Sequence, residues 1–288
     1  MSEAPKLLLG LVTHSRSRFN ANGQATRMIM ELAGFLRDRG MTVQTLISDR
    51  NDFDAKSQKI GVLNRLDSAR AQVQTEWDWS KYLQAANGVQ VDSGDPGRFF
   101  FFGMFIKRAG SFLLSSRPLE RLANIDLSHL RVLEEGVKSN SDWILIIEDD
   151  GKVENIEVVA DKINTLVTNL DHVELDTFVN LSESIEISEL RADHMFSNSK
   201  EVFTLEDGEK VIQFLLPISN TVCANMYSRG FAARFANAIK AQGTMPSIPI
   251  DWRLNHLLMD SSGSSIQGLW VTPGIFLQGS MQIPVGGE

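Results

Sequence analysis

The chain is 288 residues long, with 43% apolar and 22% charged side chains, a composition that supports a sizeable packed core and excludes disordered, collagen-like and coiled-coil readings. Its 28 basic and 36 acidic residues leave a net charge of −8, so there is no overall positive field to recruit a nucleic acid. Cys223 is the only cysteine, which excludes an intrachain disulfide and a cysteine-cluster metal site and leads to the expectation of a reducing, cytoplasmic setting.

Met1 to Lys6 carries no basic-then-apolar signal pattern, and the apolar run Leu7 to Val12 reads as a first strand, over Lys6 to Val12. It ends in Thr13-His14-Ser15-Arg16. Met28, Leu32, Phe35 and Leu36 then recur at helical spacing until Gly40 stops the pattern, and Met41 to Ile47 reads as a second strand. Strand, helix and strand make a βαβ unit, whose right-handed crossover implies a parallel sheet. Ser48 to Asp52 therefore falls at the carboxyl end of the second strand.

From Asp54 to about Leu122 the pattern weakens, with a helix expected around Ser57 to Gln74 and a turn at Ser93 to Gly97. No apolar stretch approaches the ~20 residues of a spanning helix. The nearest is Phe99 to Ile106, flanked by Arg98 and by Lys107 and Arg108. Such a segment fits an interior strand, or a peripheral contact with anionic lipid at the inner face of a membrane. Trp77 and Trp79 fit either a loop docked on the core or a sugar-stacking surface.

Asp126 reads as an N-cap, after which Leu127, Leu130, Leu133 and Val137 share one helical face. Trp143 to Ile147 is a continuous apolar run of the kind buried on both faces of a parallel sheet, and it ends in Glu148-Asp149-Asp150-Gly151. Ile156 to Leu170 is a further amphipathic helix and Asp176 to Leu181 a strand. Phe214 to Ile218 and Thr221 to Tyr227 read as strands, followed by a helix over Gly230 to Ala241. Pro246 to Pro249 forms a stiff connector into Asp251 and Trp252. The expectation is an α/β fold with a mostly parallel central sheet flanked by helices, in a single domain over residues 1–288.

Ligands of open α/β sheets bind beyond the carboxyl ends of the strands, where the polar clusters Thr13 to Arg16, Ser48 to Asp52 and Glu148 to Asp150 fall. Three adjacent carboxylates repel one another unless a cation neutralises them, and hard oxygen ligands on one turn suit Mg²⁺ or Mn²⁺ on a diphosphate. The bland alternative is a solvated acidic turn. The signatures of dehydrogenases, P-loop NTPases, zinc proteases and α/β-hydrolases are absent.

Asp126 to Leu133 (DLSHLRVL) followed by Ser141 to Asp150 (SDWILIIEDD) resembles the corresponding segment of lipopolysaccharide-type glycosyltransferases, family 25, which have the GT-A fold. Val12 to Arg16 and Ile47 to Asp52 are similar, more loosely, to nucleotide-binding strands of the wider GT-A group, family 2 included. Val222 to Ala233 (VCANMYSRGFAA), Ile250-Asp251-Trp252 and Gln278-Gly279-Ser280 resemble later segments of the same family.

The resemblance implies transfer of a sugar from a nucleotide-diphosphate donor to a saccharide or lipid-linked acceptor hydroxyl. Residues 1–155 would form the nucleotide-sugar-binding half and residues 156–288 the acceptor half. Thr13, His14, Ser15, Arg16, Asp49 and Asp52 would lie near the donor, with His129, Arg131, Glu148 and Asp149. Asp149 and Asp150 would hold a divalent cation, Mn²⁺ or Mg²⁺, with His256 as the last histidine available for a further ligand. Asp251 would be the general base of an inverting reaction, with Glu183 in reserve, and Trp252 an acceptor platform. A catalytically silent sugar- or nucleotide-binding module on the same fold is the competing class. Each residue also has a plainer role: His129 as a local hydrogen-bonding group, His14 as a strand-end cap, Asp251 as the cap of a helix over Trp252 to Met259, and Cys223 as a packed thiol.

Overall fold

The first strand, β1 (Lys6–Val12), pairs in parallel with β2 (Thr42–Ser48) across the helix α1 (Gln24–Asp38), so the expected βαβ unit is present. The computed structural model describes residues 4–14, 17–49, 66–67, 69–71, 73–74, 106, 109–110, 117–170, 176–183, 200–213, 222–241, 250–260 and 266–279. Ala25, Ile29, Leu32, Ala33 and Leu36 make the buried stripe of α1. The helix stops where Gly40 takes φ +84°, donating its N–H to the Arg37 carbonyl while Met41 donates to Leu36.

β3 (Trp143–Glu148) pairs in parallel with the other side of β1. Its apolar run is buried on both faces, because Trp143, Leu145 and Ile147 pack with α1 and with the helix Ile156–Leu170, whereas Ile144 and Ile146 face the opposite layer. Each such side chain contributes about 1.5–3 kcal/mol on burial. The opposite layer begins with α2 (Arg117–Lys138). A Cβ on Gly10 would clash with Val132 Cγ1, and one on Gly136 with Ile144 Cγ1, so both glycines serve the close seating of α2 on β1 and β3.

After β3 follow the short β4 (Gly151–Lys152), α3 (Ile156–Leu170), β5 (Asp176–Asn180) and the short β6 (Ser182–Glu183). The hairpin β7 (Lys200–Thr204) and β8 (Lys210–Gln213) leads to β9 (Ala224–Ser228), α4 (Arg229–Ala241), α5 (Ile250–Asp260), β10 (Ile266–Thr272) and β11 (Phe276–Gln278). The main sheet has the order β2-β1-β3-β9-β5-β10-β8-β7, and β4, β11 and β6 form a separate three-stranded sheet. The rings of Phe178 and Tyr227 on the sheet and of Phe231 and Phe235 on α4 pack together, some stacked and some tilted, with centroids 5.8 to 6.4 Å apart.

The sheet is mixed, which corrects the expectation of a mostly parallel one. β9 runs antiparallel to both β3 and β5, pairing Trp143 with Ser228 and Ile147 with Ala224. β8 likewise runs against β10 and β7, whereas β10 and β5 are parallel. The N-terminal βαβ unit fixes the direction of its own strands only, and β9 enters the sheet later from the carboxyl edge of β3. Asp126 is also corrected: α2 already begins at Arg117, so Asp126 lies inside the helix, buried, and caps nothing. Asp251 is the second residue of α5, which starts one residue before it. Helical positions at 66–67, 69–71 and 73–74 agree with the helix expected over Ser57 to Gln74, the remainder of which is outside the described residues. Ile106 is helical and 55% exposed, so at that position the interior-strand reading fails. The rest of Phe99 to Ile106, together with Trp77, Trp79, Phe214 to Ile218 and Pro246 to Pro249, is outside the described residues. No helix among the described residues is long and apolar enough to cross a membrane.

Candidate functional site

Backbone pairing continues one residue past the ends of the parallel strands. Thr13 donates its N–H to the Ser48 carbonyl at 3.0 Å, and Asp149 donates to Val12 at 3.0 Å. This sets Thr13 beside Asp149, and the Thr13 hydroxyl donates to Asp149 Oδ2 at 2.5 Å, the short distance of a charge-assisted bond. Asn20 Nδ2 reaches Thr13 Oγ1 at 3.4 Å, while Asn20 Oδ1 accepts the Thr26 N–H at 3.3 Å. The turn into α1 is thereby laced to the carboxylate.

Glu148 shares the face of Ile144 and Ile146, under α2. His129 Nε2 lies 3.0 Å from Glu148 Oε1, and the ring has no exposed surface. Among the described residues its Nδ1 has no hydrogen-bond partner, and Nε2 is the nitrogen whose N–H donates to the carboxylate. Beneath this pair Tyr227 is fully buried. Burial raises its pKa, the neighbouring Glu148 charge adds to the effect, and Asn225 beside it opposes it. The phenol therefore remains neutral.

Asp150 is turned inward, at 8% exposure, and its carbonyl accepts the Gly279 N–H at 2.7 Å. The β11 strand is thus fastened to the acidic turn, with Gln278 paired to Gly151 and Leu277 to Glu183 in the small sheet. Burial, with the charges of Asp150 and Glu148, pushes the Cys223 thiol well above its ordinary pKa, so it is a packed, protonated thiol and no nucleophile. Its carbonyl accepts the Glu148 N–H at 2.7 Å, a bond that the antiparallel entry of β9 makes available. Ser182 Oγ accepts the Ala224 N–H at 3.2 Å.

A second buried charge cluster joins α2 to α5. Arg253 Nη2 lies 3.0 Å from Asp126 Oδ2, and both residues are almost fully buried. Burial raises the Asp126 carboxyl to about 7, the Arg253 cation pulling it down and Asp251 pushing it up. Asp251 is therefore within electrostatic reach of Asp126.

Of the residues read from the sequence, Thr13, His129, Glu148, Asp149 and Asp150 come together at the carboxyl edge of β1 and β3. His14 and Asp49 are exposed and follow β1 and β2 at the same edge. Arg131 is exposed, two positions beyond the buried His129 on α2. Ser15, Arg16 and Asp52 lie outside the described residues, as do the side chains of Glu183, Trp252 and His256, whose backbones stand on β6 and α5. Asn20, Tyr227, Asn225 and Arg253 were not anticipated. A polar residue one turn before His129, on a helix whose neighbours are apolar, is the signal that could have marked Asp126 as a buried pairing group rather than a cap.

The three consecutive carboxylates diverge: Glu148 to His129, Asp149 to Thr13, Asp150 toward Cys223. Among the described residues no group of three or more His, Cys, Asp or Glu side chains could enclose a metal ion. A cage made wholly of protein ligands does not fit the described residues. A Mg²⁺-like cation that arrives on a diphosphate and takes one or two carboxylates does, because it keeps water and phosphate oxygens as its other ligands. Asp149, half-buried at the edge, is the carboxylate placed for this, with Asp150 behind it. Neither the protein-family models nor the curated proteins compared with this chain give a match.

Proposed function

We propose that the protein is a glycosyltransferase of GT-A type that moves a sugar from a nucleotide-diphosphate donor to the hydroxyl of a saccharide or lipid-linked acceptor, with inversion at the anomeric carbon. The observation that carries the reading is the meeting of Thr13, Asp149 and the Glu148–His129 pair at the carboxyl edge of three adjacent parallel strands. In this reading the donor lies over β1 and β2, its diphosphate toward Asp149. A divalent cation held by Asp149, with Asp150, would stabilise the charge developing on the departing nucleoside diphosphate. Thr13 orients the Asp149 carboxylate, and His129 does the same for Glu148. Asp251 takes the proton from the acceptor hydroxyl as it attacks, with Glu183 as the alternative base. The test is release of nucleoside diphosphate from UDP-, GDP- and TDP-sugars in the presence of Mn²⁺ and candidate saccharide acceptors. Release that requires both acceptor and cation supports transfer, and no release from any donor refutes it.

A second reading, a catalytically silent nucleotide- or sugar-binding module, is favoured by the engagement of Glu148 and Asp149 with the protein's own side chains. It predicts donor binding with no turnover.

A further inference from the structure

The passage of α2 over β1 and β3 can be followed through three contacts. Gly136 sits over Ile144, Val132 over Gly10, and His129 reaches Glu148 at the carboxyl end of the strand. Three residues back from His129 the helix has advanced about 4.5 Å at its rise of ~1.5 Å per residue, which carries Asp126 past the level of Glu148. There a single buried carboxylate on α2 meets two groups of α5 with opposite signs. Arg253 attracts it at 3.0 Å, and Asp251, in the first turn of α5, repels it.

We propose that Asp126 and Arg253 are positioning residues for the acceptor side of the site: their buried pair fixes α5 against α2 and so sets where the Asp251 carboxylate stands relative to the Glu148 end of the sheet. The inference rests on the reading of Asp251 as the base, and the pair itself touches no substrate. Packing alone does not require the pair. Desolvation offsets most of the attraction in a buried ion pair, and well-packed apolar side chains hold helices together at least as well. What an ion pair adds is location: Arg253 donates through Nη1 to the Ile239 carbonyl of α4 at 3.4 Å and sets Nη2 against Asp126 Oδ2, so the register of α5 is tied to a charge on α2 as well as to packing.

The charged groups acting on Asp126 from the packed elements are Arg253 and Asp251, both on α5. From α4, which packs on both helices, Lys240 pairs with Glu134 further along α2, and from β3 Glu148 is held by His129. Because burial brings the Asp126 carboxyl to about 7, the pair gains its negative partner across the neutral range. Positioning should therefore strengthen as pH rises through that value.

The experiment uses the full chain with Asp126→Asn, Arg253→Lys and the doubly apolar Asp126→Leu/Arg253→Met. It reads amide hydrogen exchange over residues 250–260 and, with the donor and acceptor found by the transfer assay, turnover against pH. In Asp126→Asn, exchange in α5 should rise at least tenfold and turnover fall at least tenfold with donor KM within twofold, and the rise in rate near pH 7 should vanish. Arg253→Lys should recover part of the loss. The apolar pair should melt within a few degrees of wild type yet keep the turnover defect, which separates positioning from stability. Wild-type turnover in the folded apolar pair, or a retained rise near pH 7 in Asp126→Asn, overturns the inference. If the wild type transfers no sugar, the transferase reading fails separately, and α5 exchange decides the clasp alone: accelerated in Asp126→Asn supports it, unchanged overturns it.

Discussion

Glu148 Oε1 and His129 Nε2 lie 3.0 Å apart, joining the last residue of β3 to a ring with no exposed surface in the middle of α2. A half-buried carboxylate depends on this partner for much of its hydrogen bonding, and the ring depends on the carboxylate. Replacing His129 by Ala strands Glu148 and opens a cavity under α2. The expected loss is about 2–4 kcal/mol of unfolding free energy, measured by urea titration. His129→Asn, which can still donate, should lose clearly less. Equal stability of His129→Ala and wild type would mean that the pair holds nothing together.

Gly10 should not tolerate a side chain. A methyl group there would clash with Val132 Cγ1, so Gly10→Ala forces α2 away from the sheet or Val132 out of its rotamer, at about 1–3 kcal/mol. Adding Val132→Ala should return part of that loss. Thermal melts of the single and double variants check the pairing, and a Gly10→Ala protein as stable as wild type would contradict the close seating of α2.

Asp126 gives the protein a definite stability profile against pH. Its carboxyl is raised from 3.8 to about 7 in the folded state, so the fold binds this proton more tightly than the unfolded chain. The contribution is complete below about pH 4 and is lost as pH rises through about 7, on the order of a few kcal/mol across the window. Urea titrations at pH 5 and pH 8 should show wild type losing this increment and Asp126→Leu/Arg253→Met losing none of it. Parallel profiles for the two proteins would place Asp126 in a more solvated setting than its burial implies.

Much of the architecture was legible because it rests on local periodicity. Lys6 to Val12, Trp143 to Ile147 and Ile156 to Leu170 were readable from apolar runs and a 3.6-residue repeat, and the structure places elements there within a residue. The direction of β9 was not legible, since a strand five residues long carries the same pattern whichever way it runs. The β7–β8 hairpin was not legible because β7 is mostly solvent-facing and β8 is only four residues long, with Val211 its one fully buried side chain. At the site, the Glu148 to Asp150 turn was visible as a charge cluster after a buried strand. Its division among three different partners was not, because Thr13, His129 and Cys223 lie far from it in the chain and adjacency across the sheet has no local signature. Asp126 was misread for a related reason: an aspartate before an apolar stripe looks like a cap until its distant arginine is known.

Asp251 separates two roles by a single substitution. As the base it must reach the acceptor hydroxyl, so Asp251→Asn should reduce turnover on the order of 10²-fold or more while donor binding survives. As a negative charge in the first turn of α5 alone, its loss should cost about 0.3–1 kcal/mol and leave turnover near wild type. Turnover and melting temperature from one sample decide between them.

The most direct test of a nucleotide-diphosphate-sugar site at the carboxyl edge of β1 and β3 is the melting temperature of wild type and Asp149→Asn with UDP-, GDP- and TDP-sugars, with and without Mn²⁺. Ligand at about 100 times its Kd stabilises a fold by ~2.7 kcal/mol, enough to raise the melting temperature by several degrees. The account predicts a Mn²⁺-dependent rise with at least one donor in wild type and its loss in Asp149→Asn, whose melting temperature without ligand should stay within a few degrees of wild type. No rise with any donor and cation, or an equal rise in Asp149→Asn, would contradict it.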